Sequence, residues 1–153
     1  MTHSELSSTS NSTSRQHVTV GVDGSESSID ALGWARRIAV VLDAEIDAVT
    51  AWHYPASDGL SYVGIDWDPS VDAAGILADA LRAAFGEDQP AGLRAVVTEG
   101  HPAKVLLDAS ADAEMLVVGS RGHGGFVGML LGSVSSRCAE HAACPVLVAH
   151  RKA

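Results

Sequence analysis

Short β-branched runs alternate with one-faced helical stretches along most of this chain, and that alternation restricts the fold more than any other feature. HVTVGV, His17 to Val22, is brief and β-branched, which suits a pleated strand. Ser27 to Leu42 then carries Ile29, Leu32, Ala35, Ala39 and Leu42 at steps of three and four, the spacing of a helix buried along one stripe. Asp23, Ser25 and Ser27 each have the chemistry of its N-cap. Glu45 to Trp52 reads as a second strand, Ser70 to Phe85 as a second helix closed by Gly86, and Leu93 to Thr98 as a third strand. Pro102 suits the first turn of a helix ending near Ser110. Met115 to Val118 is a short apolar fourth strand. Ser133 to Ala142 is a helix with Val134, Cys138 and Ala142 on one face, and PVLVAH, Pro145 to His150, is a fifth strand. Only the stretch after Trp52, HYPASDGLSYVGIDWDPS, has no clear period.

Strands that are apolar nearly throughout, separated by helices, form parallel sheets covered on both faces. The expected fold is therefore α/β, one open, doubly wound, parallel five-stranded sheet. Ligands of such sheets bind beyond the carboxyl ends of the strands, where the winding reverses. DGS, Asp23 to Ser25, follows the first strand, and a glycine-dense segment follows the fourth. Neighbouring first and fourth strands would bring both loops to one crevice.

Length and charge narrow the function. The 153 residues suit one domain, expected over 17–151 behind a disordered Ser/Thr-rich tail at 1–16, MTHSELSSTSNSTSRQ. That opening lacks the apolar stretch of a signal peptide, so the Asn11-Ser12-Thr13 acceptor pattern is read as chance. A formal charge of −9, with Lys104 and Lys152 as the only lysines, argues against nucleic acid and against an anionic membrane surface as partners. No apolar run approaches the roughly 20 residues of a membrane span. Cys138 and Cys144 are too few for a disulfide framework and fit reduced thiols in a cytoplasm.

The segment VVGSRGHGGFVGMLLGSVSS, Val117 to Ser136, holds six of the fifteen glycines within fourteen residues. Glycine adds backbone entropy to be lost on folding, so such density needs a reason. A helix N-terminus offers unpaired N–H groups and about half a unit of positive charge. The amides of Ser133 and Val134 and the Ser133 hydroxyl open the fourth helix and suit a phosphate. Gly122 lets the chain turn back with its amide bare, as in an anion-binding nest, and Gly119 permits close approach by a sugar. Spacing alone leaves a phosphate cradle and a plain structural loop both open. A P-loop is excluded, since Gly125 stands where its lysine would be. The dinucleotide fingerprint is missing too, because the first loop reads DGSESS. A receiver domain would want clustered acids after the first strand and a late lysine, and has neither.

Gly119, two residues, Gly122, nine residues and Gly132-Ser133 resemble the ATP-binding signature of the universal stress protein family. VGVDGSESSIDALGWA near the start and ACPVLVAH near the end are similar to the same family, so the resemblance spans His17 to His150. It implies a Rossmann-like sheet of the adenine nucleotide alpha hydrolase-like kind, with strand order 3-2-1-4-5. It also implies that Asp23 meets the nucleoside and that Gly21 and Val22 contribute backbone contacts. Val49 takes the position of the adenine-packing residue. Val118 and Gly119 are to touch adenine and ribose, while Gly122, Gly132, Ser133 and Val134 hold phosphates. Arg121 is the only full cation between Lys104 and Arg137, so a phosphate-bridging Mg²⁺ is expected. The implied function is an ATP-binding stress-response sensor or switch. A homodimer is implied through the last strand, around Val146, Leu147 and Val148.

A slow ATPase or a self-phosphorylating enzyme, acting on Ser133 or a tail serine, is the alternative. It is weakened by the absence of a lysine or a clear base in the phosphate segment. A module whose nucleotide is merely structural is a third reading. Seven histidines show no i, i+4 metal pair. His123, within the segment, is either solvent-facing or a phosphate contact. Cys138 is expected on the inner face of the last helix and Cys144 in a structural role. Trp52, Tyr62 and Trp67 read as a local packing cluster or an adenine-side lid.

Overall fold

The computed structural model describes residues 15–54, 67–122 and 131–151. In chain order these form β1 (His17–Gly21), α1 (Glu26–Leu42), β2 (Glu45–Trp52), α2 (Pro69–Phe85), β3 (Arg94–Glu99), α3 (Pro102–Ala109), β4 (Met115–Gly119), α4 (Ser133–His141) and β5 (Val146–Ala149). All strand pairs are parallel, in the order β3-β2-β1-β4-β5. This is the expected doubly wound sheet.

Period two sorts the strand side chains onto two faces. Val18, Val20, Ile46, Ala48 and Val117 join Ala31, Leu32 and Ala35 of α1 and Leu77, Ala80 and Leu81 of α2 in one buried cluster. Val49, Leu116 and Val118 pack on the other side, with Val105 and Leu106 of α3 and Cys138 of α4. The crossover thus changes face between β3 and β4, and β4 returns to lie against β1. The winding reverses between those two strands, which is where such folds place ligands.

Local chemistry sets the boundaries. Of the three candidate caps of α1, Ser25 serves: its hydroxyl accepts the Ser28 N–H. The helix stops without a glycine, because Asp43 adopts the left-handed conformation at φ 52° and donates its N–H to the Ala39 and Val40 carbonyls. Helix α2 starts one residue before Ser70, with Asp68 as N-cap and Pro69 leading. The Ser70 hydroxyl and amide hold the Asp68 carboxyl below its ordinary range, and Gly86, at φ 60°, closes the helix as expected.

One charge is buried in the sheet. Asp47 of β2 is 5% exposed and accepts hydrogen bonds from Arg94 Nε and Nη2 at 2.8 and 2.6 Å. Burial pushes its carboxyl up, but the Arg94 hydrogen bonds and charge, with His17 and Arg15, pull harder and leave it below the ordinary range. Of the tail, residues 1–14 lie outside the described residues. Arg15 donates to the Gly92 carbonyl and the Gln16 carbonyl accepts the Glu45 N–H.

Candidate functional site

The carboxyl ends of β1 and β2 are locked together. Val22 N–H donates to the Val49 carbonyl and Thr50 Oγ1 to the Val22 carbonyl, both at 2.9 Å. Pairing sets Gly21 opposite Val49. Gly21 is bare for a packing reason: a Cβ there would lie 2.6 Å from Leu106 Cδ1 of α3.

After β1 the chain turns through Gly24 at φ 83°. Asp23 Oδ1 accepts the Ser25 N–H at 2.9 Å and the Ser25 hydroxyl at 2.5 Å. That holds the exposed carboxylate in place and turns Oδ2 toward Gly122, whose added Cβ would stand 2.7 Å from it. Asp23 therefore shapes the turn and also borders the glycine segment.

Both ends of that segment are clamped. Ser120 donates its N–H to the Ala149 carbonyl at 2.9 Å, and its own carbonyl accepts the Gly132 N–H at 2.7 Å. Ser27 Oγ donates to the Arg121 carbonyl and accepts the Arg121 N–H, while Ser135 Oγ donates to the Gly119 carbonyl. Between those staples Gly119 is obligatory, since its Cβ would meet the Ser27 backbone carbon at 2.7 Å. Gly132 is the N-cap of α4 and contributes no side-chain cap bond, so the first-turn amides, Ser133 and Val134 among them, lack an intrahelical acceptor. His123, a candidate phosphate contact, lies outside the described residues.

These elements enclose a cleft of about 420 Å³, within the range of small-molecule sites. Gly21, Val22, Asp23, Val49, Val118, Gly119, Arg121, Gly122, Gly132, Ser133 and Val134 all line it. The structure brings these eleven residues together around one cleft, while His123 lies outside the described residues. It adds Ser25, Ser28, Ala51, Pro102, Leu106, Leu131 and Ser135. Ala51 was within reach of strand periodicity, being two residues beyond Val49. Leu106 and Pro102 had no such signal, because only the tertiary placement of α3 brings them there. The cleft has two characters. Val49, Ala51, Leu106 and Val118 supply apolar side chains that pack in one cluster, while Gly122, Gly132, Ser133 and Ser135 supply main chain and hydroxyls.

Outside the cleft, Trp52 meets Tyr54 edge-on with ring centres 5.7 Å apart, and Tyr54 meets Trp67 at 6.3 Å. Trp67 also donates to Asp72 at 2.8 Å. These aromatics pack locally, and Tyr62 lies outside the described residues. Cys138 is buried against the α3 side of the sheet, and burial, with Cys144, pushes its thiol up to about 11.

The sequence profile of the Universal stress protein family matches residues 14–150. The chain belongs to this family. A curated universal stress protein of Mycobacterium tuberculosis is 40% identical over 134 residues, covering 86% of this chain and 44% of its own length. One from Mycolicibacterium smegmatis is 36% identical over 136 residues, covering 88% of the chain and 46% of its own length. The chain thus spans about half the length of these relatives. Among solved structures, a universal stress protein in complex with cAMP is 29% identical with a TM-score of 0.67, covering 90% of this chain and 98% of that one. UspA from Lactobacillus plantarum, at 21% identity and a TM-score of 0.66 over 88% and 97% of the two chains, shares the fold. Among the described residues of this universal stress protein domain, no helix is long and apolar enough to cross a membrane. Nor does any group of three or more His, Cys, Asp or Glu side chains stand ready to hold a metal ion.

Proposed function

We propose that this chain binds an adenine nucleotide in the cleft, with ATP and a phosphate-bridging Mg²⁺ as the full ligand, and acts as a nucleotide-dependent stress-response sensor or switch. The observation that carries this is the meeting of apolar side chains and an uncapped helix terminus in the lining of one cleft, with Asp23 beside Gly122. Val49 and Val118 offer flat apolar surface to a base. The Asp23 carboxylate accepts hydrogen bonds from ribose hydroxyls, and Gly119 lets the sugar approach the backbone. The Gly122 amide and those of Ser133 and Val134 suit phosphate oxygens, as an unpartnered helix start favours anions.

The residues fit such a ligand. Gly132 has φ −68° and ψ 165°, which any residue adopts, and a Cβ there would meet nothing closer than 3.5 Å. The protein's own packing does not demand a glycine at that point, whereas a phosphate seated against the backbone does. Arg121 is the only cation among the described residues lining the cleft, too little for a triphosphate, so a hard divalent ion held by phosphates and water supplies the balance. The cAMP complex of the 29% identical relative supports an adenine nucleotide as the class of ligand.

We place the protein in the cytoplasm, as a homodimer through Val146, Leu147 and Val148 of β5. That strand is the last in the sheet order, and an unpaired edge favours strand pairing. Calorimetry with AMP, and with ATP in the presence of Mg²⁺, tests the ligand: binding to the native chain and its loss in Asp23→Ala are expected, and absence of heat with both nucleotides overturns the reading. Sedimentation tests the assembly, with a dimer expected for the native chain and a monomer for Leu147→Lys.

A further inference from the structure

Two histidines far apart in sequence meet at the rim of the cleft. His53 follows the last residue of β2, and His101 N-caps α3 without making a side-chain cap bond. The Gly100 N–H donates to the Trp52 carbonyl at 2.7 Å, with Gly100 at φ 144°, and this backbone bond fixes the two segments side by side. The imidazole centres are 4.9 Å apart, with the ring planes 36° from parallel. Ala51, two residues before His53, and Pro102, next to His101, both line the cleft.

We propose that His53 and His101 form a two-imidazole site for a divalent late transition cation such as Zn²⁺, at the rim of the cleft. The spacing is that of imidazoles sharing one metal. With metal–nitrogen bonds of about 2.0–2.1 Å and about 1.1 Å from nitrogen to ring centre, two rings at a tetrahedral angle have centres about 5.2 Å apart. The observed 4.9 Å is close to that value. The Cβ–Cγ bond points through the ring centre, so turning either ring about it re-aims the nitrogens and leaves the spacing unchanged. Imidazole nitrogen selects Zn²⁺, Ni²⁺ or Cu²⁺ over Mg²⁺, so this site is chemically separate from a phosphate-bridging ion. Both side chains are exposed, leaving the remaining coordination positions to water. The positive end of α3 opposes a cation beside His101, but that effect is screened at an exposed helix end. The formal charge of −9 works the other way, raising the local cation concentration.

The test is calorimetric titration of Zn²⁺ into the full chain at pH 7.5 without nucleotide or an added histidine tag, so that it is independent of whether the cleft binds adenine. One Zn²⁺ per chain is expected. His53→Ala and His101→Ala should each weaken it by at least about tenfold, because even outer-shell partners of metal sites are worth that much. His141→Ala, at the far end of α4, should leave it unchanged. Both imidazoles are exposed, so these variants keep the fold; far-ultraviolet circular dichroism checks it. In NMR spectra, Zn²⁺ should move the ring signals of His53 and His101 together. Absence of one-to-one binding, or wild-type affinity in either His53→Ala or His101→Ala, overturns the proposal.

Discussion

Gly132→Ala separates what the fold needs from what a ligand needs. The added methyl would lie 3.5 Å from the Gly122 nitrogen and 3.6 Å from Arg121 Cα and the Ser120 carbonyl oxygen, all ordinary contacts, and the backbone angles suit alanine. Alanine is a much poorer N-cap than glycine, by about 1 kcal/mol, but it removes a comparable amount of unfolded-state entropy. The two nearly cancel, and stability should stay within about 1 kcal/mol of the native chain. Binding should not. A phosphate oxygen bonded to the Gly122 amide needs to approach to about 2.9 Å, and the methyl crowds that space. Losing one hydrogen bond to a charged group costs about 1.5–3 kcal/mol, which corresponds to about 10- to 150-fold in affinity. Urea unfolding measures the first quantity, and calorimetry with AMP and Mg·ATP the second. Unchanged nucleotide affinity, or a stability loss well beyond 1 kcal/mol, would refute the assignment of Gly132 to the phosphate end.

Gly119→Ala should behave oppositely, costing about 1–3 kcal/mol by overpacking, because its Cβ meets the Ser27 backbone carbon at 2.7 Å; a urea midpoint equal to the native one would contradict this. For Asp47, burial raises the carboxyl, but Arg94 and its other cationic neighbours lower it further, so the net shift is downward. Its contribution to stability is present above the unfolded carboxylate pKa and disappears as pH falls through the lower folded value. Asp47→Asn should therefore cost about 1–3 kcal/mol at pH 7, reduced from the fully buried case because Arg94 is largely exposed, and should flatten the acid limb of a stability–pH curve. Cys138, with its thiol raised to about 11 by burial and by Cys144, should resist iodoacetamide at pH 8 until urea unfolds the chain, as mass spectrometry of labelled peptides would report.

Much of the site was legible in the sequence because it is built from turns and helix starts, where residue type is dictated by backbone chemistry. Asp23, Gly122 and Gly132-Ser133 stand at such points, whereas Val49 and Val118 came with the family resemblance. The strand order came with the family resemblance rather than from periodicity. What escaped was everything decided by tertiary placement. Ser27 looked like a cap, and its hydroxyl instead bridges to the Arg121 backbone. Ser135, a serine in a helix, gave no sign of its bond to the Gly119 carbonyl. Asp47, a carboxylate in a strand, gave no sign of its burial or of its bonds to Arg94 on the neighbouring strand. Asp43 ended α1 in the left-handed region, a place where glycine is the usual marker.

Ser120 takes part in two main-chain bonds, one to Ala149 on the edge strand and one from Gly132 at the start of α4. The mouth of the pocket and the outermost strand are consequently neighbours in the hydrogen-bond network, with a single residue between them. A shift of Ser120 would alter both bonds at once, without any helix having to slide. Whatever docks along that margin is therefore in mechanical touch with the state of the pocket.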